Sequence, residues 1–138
     1  MWSHYADKHK GICITFNAME LVNGFHQSVY PVEYVTNFPK VDFMKNHNNS
    51  VNQIIKSKSV NWKHEQEFRI VIDKKGTAPL PQRSIREICF GLRTPDSEIL
   101  KTIRFMRDNG LCLPDVLFFK AEMNEDSYKA NYIACNAS

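Results

Sequence analysis

The sequence lacks most of the short signatures by which a biochemical activity is recognised. It has no stretch of about 20 apolar residues, the length that a membrane-spanning helix needs, and no basic segment followed by an apolar one at its start, as a secretion signal has. Its five glycines form no glycine-rich phosphate loop and no G-x-S-x-G nucleophile elbow. We therefore expect a cytoplasmic protein without a membrane segment and without a standard nucleotide or hydrolase motif.

The chain also lacks clustered metal ligands. Its four cysteines are far apart and form no C-x-x-C pair. Cys13 and Cys89 lie in the apolar runs ICITF and EICFG, where a thiol behaves as a small hydrophobic residue. His4 and His9 are spaced so that one helix face does not present both. We expect reduced, structural thiols, as in a bacterial cytoplasmic protein, and no metal site.

Charge of one sign is not concentrated anywhere in the chain. The net charge is +3, and basic residues are interspersed with carboxylates throughout. Nucleic-acid-binding proteins usually gather their positive charge on one face and place aromatic side chains among it. A nucleic-acid partner is therefore the least favoured alternative, and a solvated surface is the simpler interpretation.

Apolar periodicity is present, and it predicts an α+β fold with a single mixed or mainly antiparallel sheet and two to three packed helices. The length of 138 residues fits one domain, residues 1–138. Thr94 is the expected N-cap of the clearest helix, with Pro95 at its first position and Gly110 at its end. The other expected elements are helices at 1–9 and, mainly after Ser50, at 43–60, a helical turn near 18–22, strands at 11–16, 30–35, 68–73 and 85–91, and a hairpin around Asn124–Ser127.

The segment WKHEQEFRIVID contains the main candidates for chemistry. In an extended chain, side chains alternate between faces, so Glu65, Glu67 and Arg69 are expected on the face opposite the apolar side chains. Paired carboxylates of this kind can bind a ribose hydroxyl or stabilise a cationic transition state. The simpler interpretation is an exposed ion pair, which contributes about 0–1 kcal/mol. Both interpretations remain open from the pattern.

A second candidate is the loop GLRTPD, where a strand end is expected to run into a helix. Free N–H groups at a helix N-terminus bind anions, and Arg93 would assist. Thr94 capping the same N–H groups is the favoured explanation.

Three blocks together resemble a known family. MWSHYADKHKGICITF at residues 1–16, K-x-x-x-W-x-x-E-x-E-F-R-I at 58–70 and IREICFG at 85–91 are similar to a bacterial family of unknown function, DUF2971. The resemblance implies the C-terminal portion of a longer protein whose N-terminal segment is absent here. It also suggests an accessory gene of a bacterial genome or mobile genetic element. The candidate ligand-binding residues are Trp2, Tyr5, His9, Trp62 and Arg93.

A more distant resemblance suggests an enzymatic alternative. The E-x-E pair before a strand is similar to the closing part of ADP-ribosyltransferase-like folds. That resemblance implies that Glu67 contacts the nicotinamide ribose of NAD and that Glu65 assists the acceptor. The remaining site residues would belong to the absent segment. NAD is expected as a cofactor only under this alternative, and otherwise none is expected.

The favoured hypothesis is a small binding module without catalysis. Aromatic residues are plentiful, with nine Phe, five Tyr and two Trp, and exposed apolar surface tends to be used as an interface. We expect self-association or a protein partner. The alternatives are the ADP-ribosyltransferase-like enzyme or nucleotide-binding remnant, and weak nucleic-acid binding.

Overall fold

The structure, a computed structural model, describes residues 6–41, 44, 47–72, 75–81, 83–124 and 130–135. These residues confirm the α+β class with a mixed sheet. The strands are β1 (Ile12–Phe16), β2 (Val29–Pro31), β3 (Glu33–Val35), β4 (Ser57–Ser59), β5 (Phe68–Ile70), β6 (Ile85–Phe90), β7 (Leu117–Met123) and β8 (Ala130–Ala134). The helices are α1 (Ala18–Phe25), α2 (His47–Lys56), a 3₁₀ helix (Val60–Glu65) and α3 (Asp96–Asp108). No helix in these ranges is long and apolar enough to cross a bilayer.

The chain divides into two compact units. The first unit contains Met1–Gly24 and Ala78–Ser138, and the second contains Phe25–Thr77. That residues 1–138 form one domain stays a prediction.

A four-stranded sheet in the order β1-β6-β7-β8 forms the centre of the first unit. β6 pairs antiparallel with β1 and parallel with β7, and β7 pairs antiparallel with β8, as expected for the hairpin. The turn predicted at 124–127 lies largely outside the described residues. The β1–β6 register shifts between Thr15 and Phe16, which is a β-bulge or irregularity. β1 is rich in β-branched and aromatic residues, with four among its five.

Helix α3 covers one face of this sheet and closes the core. Ile99 and Ile103 are one helical turn apart and both buried. The Phe90 and Phe118 rings, from neighbouring strands, stack with centroids 6.5 Å apart. The buried core consists of Ile88, Phe90, Ile99, Ile103, Val116 and Phe118. Burial of this apolar set is the main favourable free-energy term of the first unit.

The expected Thr94 cap is wrong. Pro95 is the N-cap residue of α3, and no side chain caps the helix. Thr94 is buried, and its Oγ1 donates instead to the Lys10 carbonyl oxygen at 3.0 Å. A buried hydroxyl needs a hydrogen-bond partner, and here a carbonyl oxygen of the turn that precedes β1 is that partner. The predicted end at Gly110 is confirmed by its left-handed φ of +63°.

The expected helix at 1–9 is also wrong in its described part. Residues 6–10 form turns, and Asp7, Lys8 and His9 have φ values of 42°, 53° and 71°. Three successive residues in the left-handed region cannot belong to a right-handed helix. The Lys10 and Gly11 N–H groups donate to the Ala6 carbonyl at 2.9 and 2.8 Å.

The second unit contains two strand pairs where one sheet with longer strands was expected. β2 pairs antiparallel with β5, and β3 pairs parallel with β4. The expected strand at 30–35 is divided at Val32, which is buried. The expected strand at 68–73 is paired through Ile70, residues 71 and 72 are not in a strand, and residue 73 lies outside the described residues. Helix α2 begins at His47, earlier than the predicted start after Ser50.

Candidate functional site

The candidate carboxylates lie in the second unit where the 3₁₀ helix ends and β5 begins. The 3₁₀ helix follows Ser59, whose side chain accepts a hydrogen bond from the Asn61 N–H. Gln66 has φ 47° and ψ 47°, a left-handed conformation, so the backbone changes direction between Glu65 and Glu67. Trp62 belongs to the 3₁₀ helix and not to β5.

The three predicted side chains nevertheless lie together, and a lysine joins them. Lys58 Nζ donates to Glu65 Oε2 and lies 2.8 Å from Glu67 Oε2. Arg69 Nε lies 2.5 Å from the other carboxylate oxygen, Glu67 Oε1, and Arg69 Nη1 donates to the Ile55 carbonyl. We call Lys58, Glu65, Glu67 and Arg69 the ion cluster. Both oxygens of Glu67 are thus held by cations.

The pKa values within the ion cluster follow from these contacts. Hydrogen bonds from Arg69 and then Lys58 lower the pKa of Glu67 from 4.5 to about 2, against a smaller opposing effect of burial. Hydrogen bonds to Glu65 and Glu67 raise the pKa of Lys58, and Glu67 raises that of Arg69. At neutral pH, Glu67 is therefore an ionised carboxylate held between two cations. A general base needs a pKa near the operating pH, and Glu67 does not meet this requirement.

The backbone of Glu67 connects the two strand pairs of this unit. Its N–H donates to the Tyr34 hydroxyl oxygen at 2.8 Å, and its carbonyl accepts from the Val32 N–H at 2.9 Å. Tyr34 lies in β3 opposite Lys58 in β4, whereas Arg69 lies in β5 opposite Tyr30 in β2. Residues of both strand pairs thus meet at Glu67, which gives the ion cluster a structural role.

Aromatic side chains lie beside the cations of this unit. The Lys58 ammonium is 5.2 Å from the Trp62 ring centroid, and the Trp62 and His64 rings are 6.1 Å apart. The Lys56 ammonium is 3.6 Å from the Tyr30 ring centroid. Such cation–π contacts contribute about 0.5–1 kcal/mol at exposed sites. Trp62 is thus a neighbour of the ion cluster, and its role as a ligand-binding residue stays a prediction.

The other predicted ligand-binding residues lie elsewhere. His9 and Arg93 belong to the first unit, where the Arg93 N–H donates to the His9 carbonyl at 2.9 Å. This is a backbone contact that joins the turn before β1 to the loop before α3. Trp2 and Tyr5 lie outside the described residues. Among the residues that are described, no group of three or more His, Cys, Asp or Glu side chains is placed to hold a metal ion.

A small cleft adjoins the ion cluster. It has a volume of about 210 Å³ and is bordered by residues 35–39 and 57–59. Lys58 belongs both to this border and to the ion cluster. Sites for small molecules and cofactors usually measure about 300–1,000 Å³. The volume of the cleft lies below this range.

A different exposed surface lies at the edge of the four-stranded sheet. All five residues of β8 are exposed, and β8 has a neighbouring strand on the β7 side only, as far as the described ranges show. Large apolar side chains on β7 and β8 are at least half exposed: Leu117 (55%), Met123 (75%), Tyr132 (55%) and Ile133 (50%). Sequence reasoning predicted the strand but not this exposure. The sequence feature that could have predicted an unprotected edge strand was the absence of charged residues and proline in ANYIA.

Comparison with known proteins gives a family match. A family model described as "Protein of unknown function (DUF2971)" matches residues 1–70. The match contains the first two sequence blocks and ends at the last residue of the second. The third block, IREICFG, lies beyond it. No curated protein and no solved structure matches the chain.

Proposed function

The chain belongs to the DUF2971 family, and from the geometry of its described residues we propose that it is a protein-binding module rather than an enzyme. The observation that carries the proposal is the exposed apolar surface of β7 and β8. Soluble domains rarely leave neighbouring large apolar side chains in water unless they are used for binding. Met123 and Tyr132 are such neighbours, because they lie on the same face of two adjacent strands at diagonal positions of the β7–β8 register, whereas Ile133 faces the other side of the sheet.

The edge of β8 adds a second binding feature. An edge strand leaves part of its backbone N–H and C=O groups unpaired, and these bind another extended chain. Natural edge strands are commonly protected by lysine, proline or a bulge. Ala130–Ala134 contains no charged residue and no proline, and its register with β7 is regular along all five residues. Backbone pairing and apolar contacts are thus available at the same place.

The ion cluster supports the non-catalytic part of the proposal. A transferase glutamate of the ADP-ribosyltransferase type accepts a hydrogen bond from a ribose hydroxyl, whereas the contacts of the Glu67 carboxylate are made within the second unit. Arg69 and Lys58 hold one oxygen of Glu67 each. The adjoining cleft has a volume of about 210 Å³. We therefore assign Glu67 to the stability of the second unit.

Binding is tested by comparing three variants of the full chain. Wild type, Tyr132→Lys and Phe105→Lys are immobilised and presented with a bacterial lysate and with a differently tagged copy of the chain. Phe105 is a matched control, since it is an aromatic residue 60% exposed on α3. We expect at least one protein, the tagged copy included, that wild type and Phe105→Lys retain and Tyr132→Lys loses. If wild type, Phe105→Lys and Tyr132→Lys all retain the same proteins, the proposal is overturned.

Catalysis is tested by titrating NAD into the full chain in a calorimeter. We expect no heat of binding for wild type and none for Glu67→Gln. Heat that is present in wild type and absent in Glu67→Gln would contradict the proposal and favour the enzymatic alternative.

A further inference from the structure

We propose that the partner at β8 is a second copy of the chain, and that the two β8 strands pair antiparallel across a two-fold axis at Tyr132. This inference deepens the proposed function and rests on it, because it names the occupant of the same surface. The arrangement joins two four-stranded sheets into one of eight strands. Contacts of this kind are isologous, with the same patch used by both copies.

The hydrogen bonds between β7 and β8 show which backbone groups of β8 face outward. The Cys135 N–H donates to the Phe118 carbonyl at 2.8 Å, and the register continues regularly from there. In an antiparallel pair, alternate residues point their N–H and C=O groups at the partner strand. Asn131 and Ile133 therefore bond to β7. Ala130, Tyr132 and Ala134 direct theirs to the open edge.

The positions of these outward groups select one register. With the axis at Tyr132, each Tyr132 exchanges two hydrogen bonds with its copy, and each Ala130 exchanges two with Ala134 of the other copy. This gives about six hydrogen bonds. Within Ala130–Ala134, moving the axis by one residue in either direction leaves only two such pairs, about four bonds. The register centred on Tyr132 is therefore the one with the most bonds.

The side chains of β8 suit the same register. Tyr132 would lie beside its own copy, and aromatic pairs across strands are favourable. Ala130 and Ala134 flank it in both copies, and their small side chains leave room for the two rings. No charge lies in Ala130–Ala134, so self-pairing brings no like charges together. The opposite edge of the sheet, β1, is less suited because of its irregularity at Thr15 and Phe16.

The test is the oligomeric state of the full chain by sedimentation, from about 1 µM to about 1 mM, where small interfaces associate. We expect a monomer–dimer equilibrium for wild type. Tyr132→Lys places two ammonium groups face to face and should weaken the dimer about 10- to 100-fold. Phe105→Lys adds the same charge away from the edge and should leave it unchanged.

A backbone variant separates pairing from side-chain effects. The Ala134 N–H is not used by β7, and proline is tolerated at such positions of edge strands. Ala134→Pro should therefore keep the fold by circular dichroism and melt within about 2 °C of wild type. It removes two of the six bonds between copies and should also weaken the dimer about 10- to 100-fold.

The register is tested by photochemical dityrosine cross-linking. Wild type should give a cross-linked dimer, and Tyr132→Phe should remain dimeric in sedimentation but lose the cross-link. A wild-type chain that stays monomeric to about 1 mM, or dimers that persist in both Tyr132→Lys and Ala134→Pro, would overturn the inference. A monomer that still retains a lysate protein through Tyr132 overturns the self-pairing alone. If the chain is a monomer and wild type and Tyr132→Lys also retain the same lysate proteins, the proposed function is overturned.

Discussion

The acid sensitivity of the second unit tests whether the ion cluster is structural. The pKa of Glu67 is lowered from 4.5 to about 2 by Arg69 and Lys58. A lowered folded-state pKa means that the unfolded chain binds the proton more readily. The stabilisation is therefore complete above the unfolded pKa and is lost as the pH falls from about 4.5 towards 2. Glu67 should make the native state progressively less stable over that interval.

The size of this contribution follows from the pKa difference. A pKa that falls from 4.5 to about 2 corresponds to at most about 3 kcal/mol. The Glu67 side chain is 27% exposed, so solvent screens part of the interaction. We expect about 1–3 kcal/mol from the carboxylate at neutral pH.

Urea unfolding at a series of pH values from 7 to about 2 measures this contribution. Tryptophan fluorescence is a suitable signal, because the Trp62 ring lies 5.2 Å from the Lys58 ammonium. Glu67→Gln should be about 1–3 kcal/mol less stable than wild type at pH 7, and the difference should vanish near pH 2. Glu122→Gln, on an exposed part of β7, controls for the loss of a surface carboxylate. Equal pH dependence in wild type and Glu67→Gln would refute the structural role.

Three further predictions concern the first unit. Ile103→Ala empties a fully buried position and should lower the free energy of unfolding by about 2–5 kcal/mol in urea titration. Thr94→Val removes the bond from the hydroxyl to the Lys10 carbonyl and should cost about 1–3 kcal/mol by the same assay. Burial raises the pKa of the Cys89 thiol to about 11, so at pH 8 it should react with iodoacetamide about 100-fold more slowly than a thiol of pKa 9.0, as measured by peptide mass spectrometry.

Each of these has a matched control. Phe105→Ala, on the exposed side of α3, should change stability by less than about 0.5 kcal/mol. Thr94→Ser retains a hydroxyl and should recover most of the loss seen with valine. Alkylation in urea should bring Cys89 to the rate of an unfolded thiol. A rapid reaction of Cys89 in the folded chain would show that its burial is not maintained in solution.

The sequence predicted those elements whose apolar pattern is continuous. β1 comes from the apolar run ICITF, β6 from IREICF with its apolar end, and α3 from apolar residues one turn apart. The Thr94 cap was predicted from its local sequence. In the structure the Thr94 hydroxyl instead donates to the carbonyl oxygen of Lys10, which is distant in the sequence. The expected helix before β1 was wrong where it is described, because three residues there adopt left-handed angles. Propensity alone does not reveal such turns.

The grouping of Glu65, Glu67 and Arg69 was predicted, though for a different geometric reason. Alternation along a strand was expected to place them on one face. The structure instead uses a 3₁₀ helix, and the left-handed Gln66 lies between the two glutamates. Lys58 was missed as a member because its contacts with the carboxylates depend on how β4 leads into that helix. Spacing along the chain does not determine this arrangement.

The second family-like block can now be interpreted residue by residue in this chain. In K-x-x-x-W-x-x-E-x-E-F-R-I, Lys58 holds both glutamates, the tryptophan ring lies near its ammonium, and Arg69 holds the second glutamate. The charged members of the block and Trp62 thus lie together, and Glu67 also connects the two strand pairs through its backbone. Because the charged residues of this block pair with one another, the block is explained by its part in stabilising the fold. Function is then to be sought on surfaces that the fold leaves unsatisfied, and the edge of β8 is such a surface.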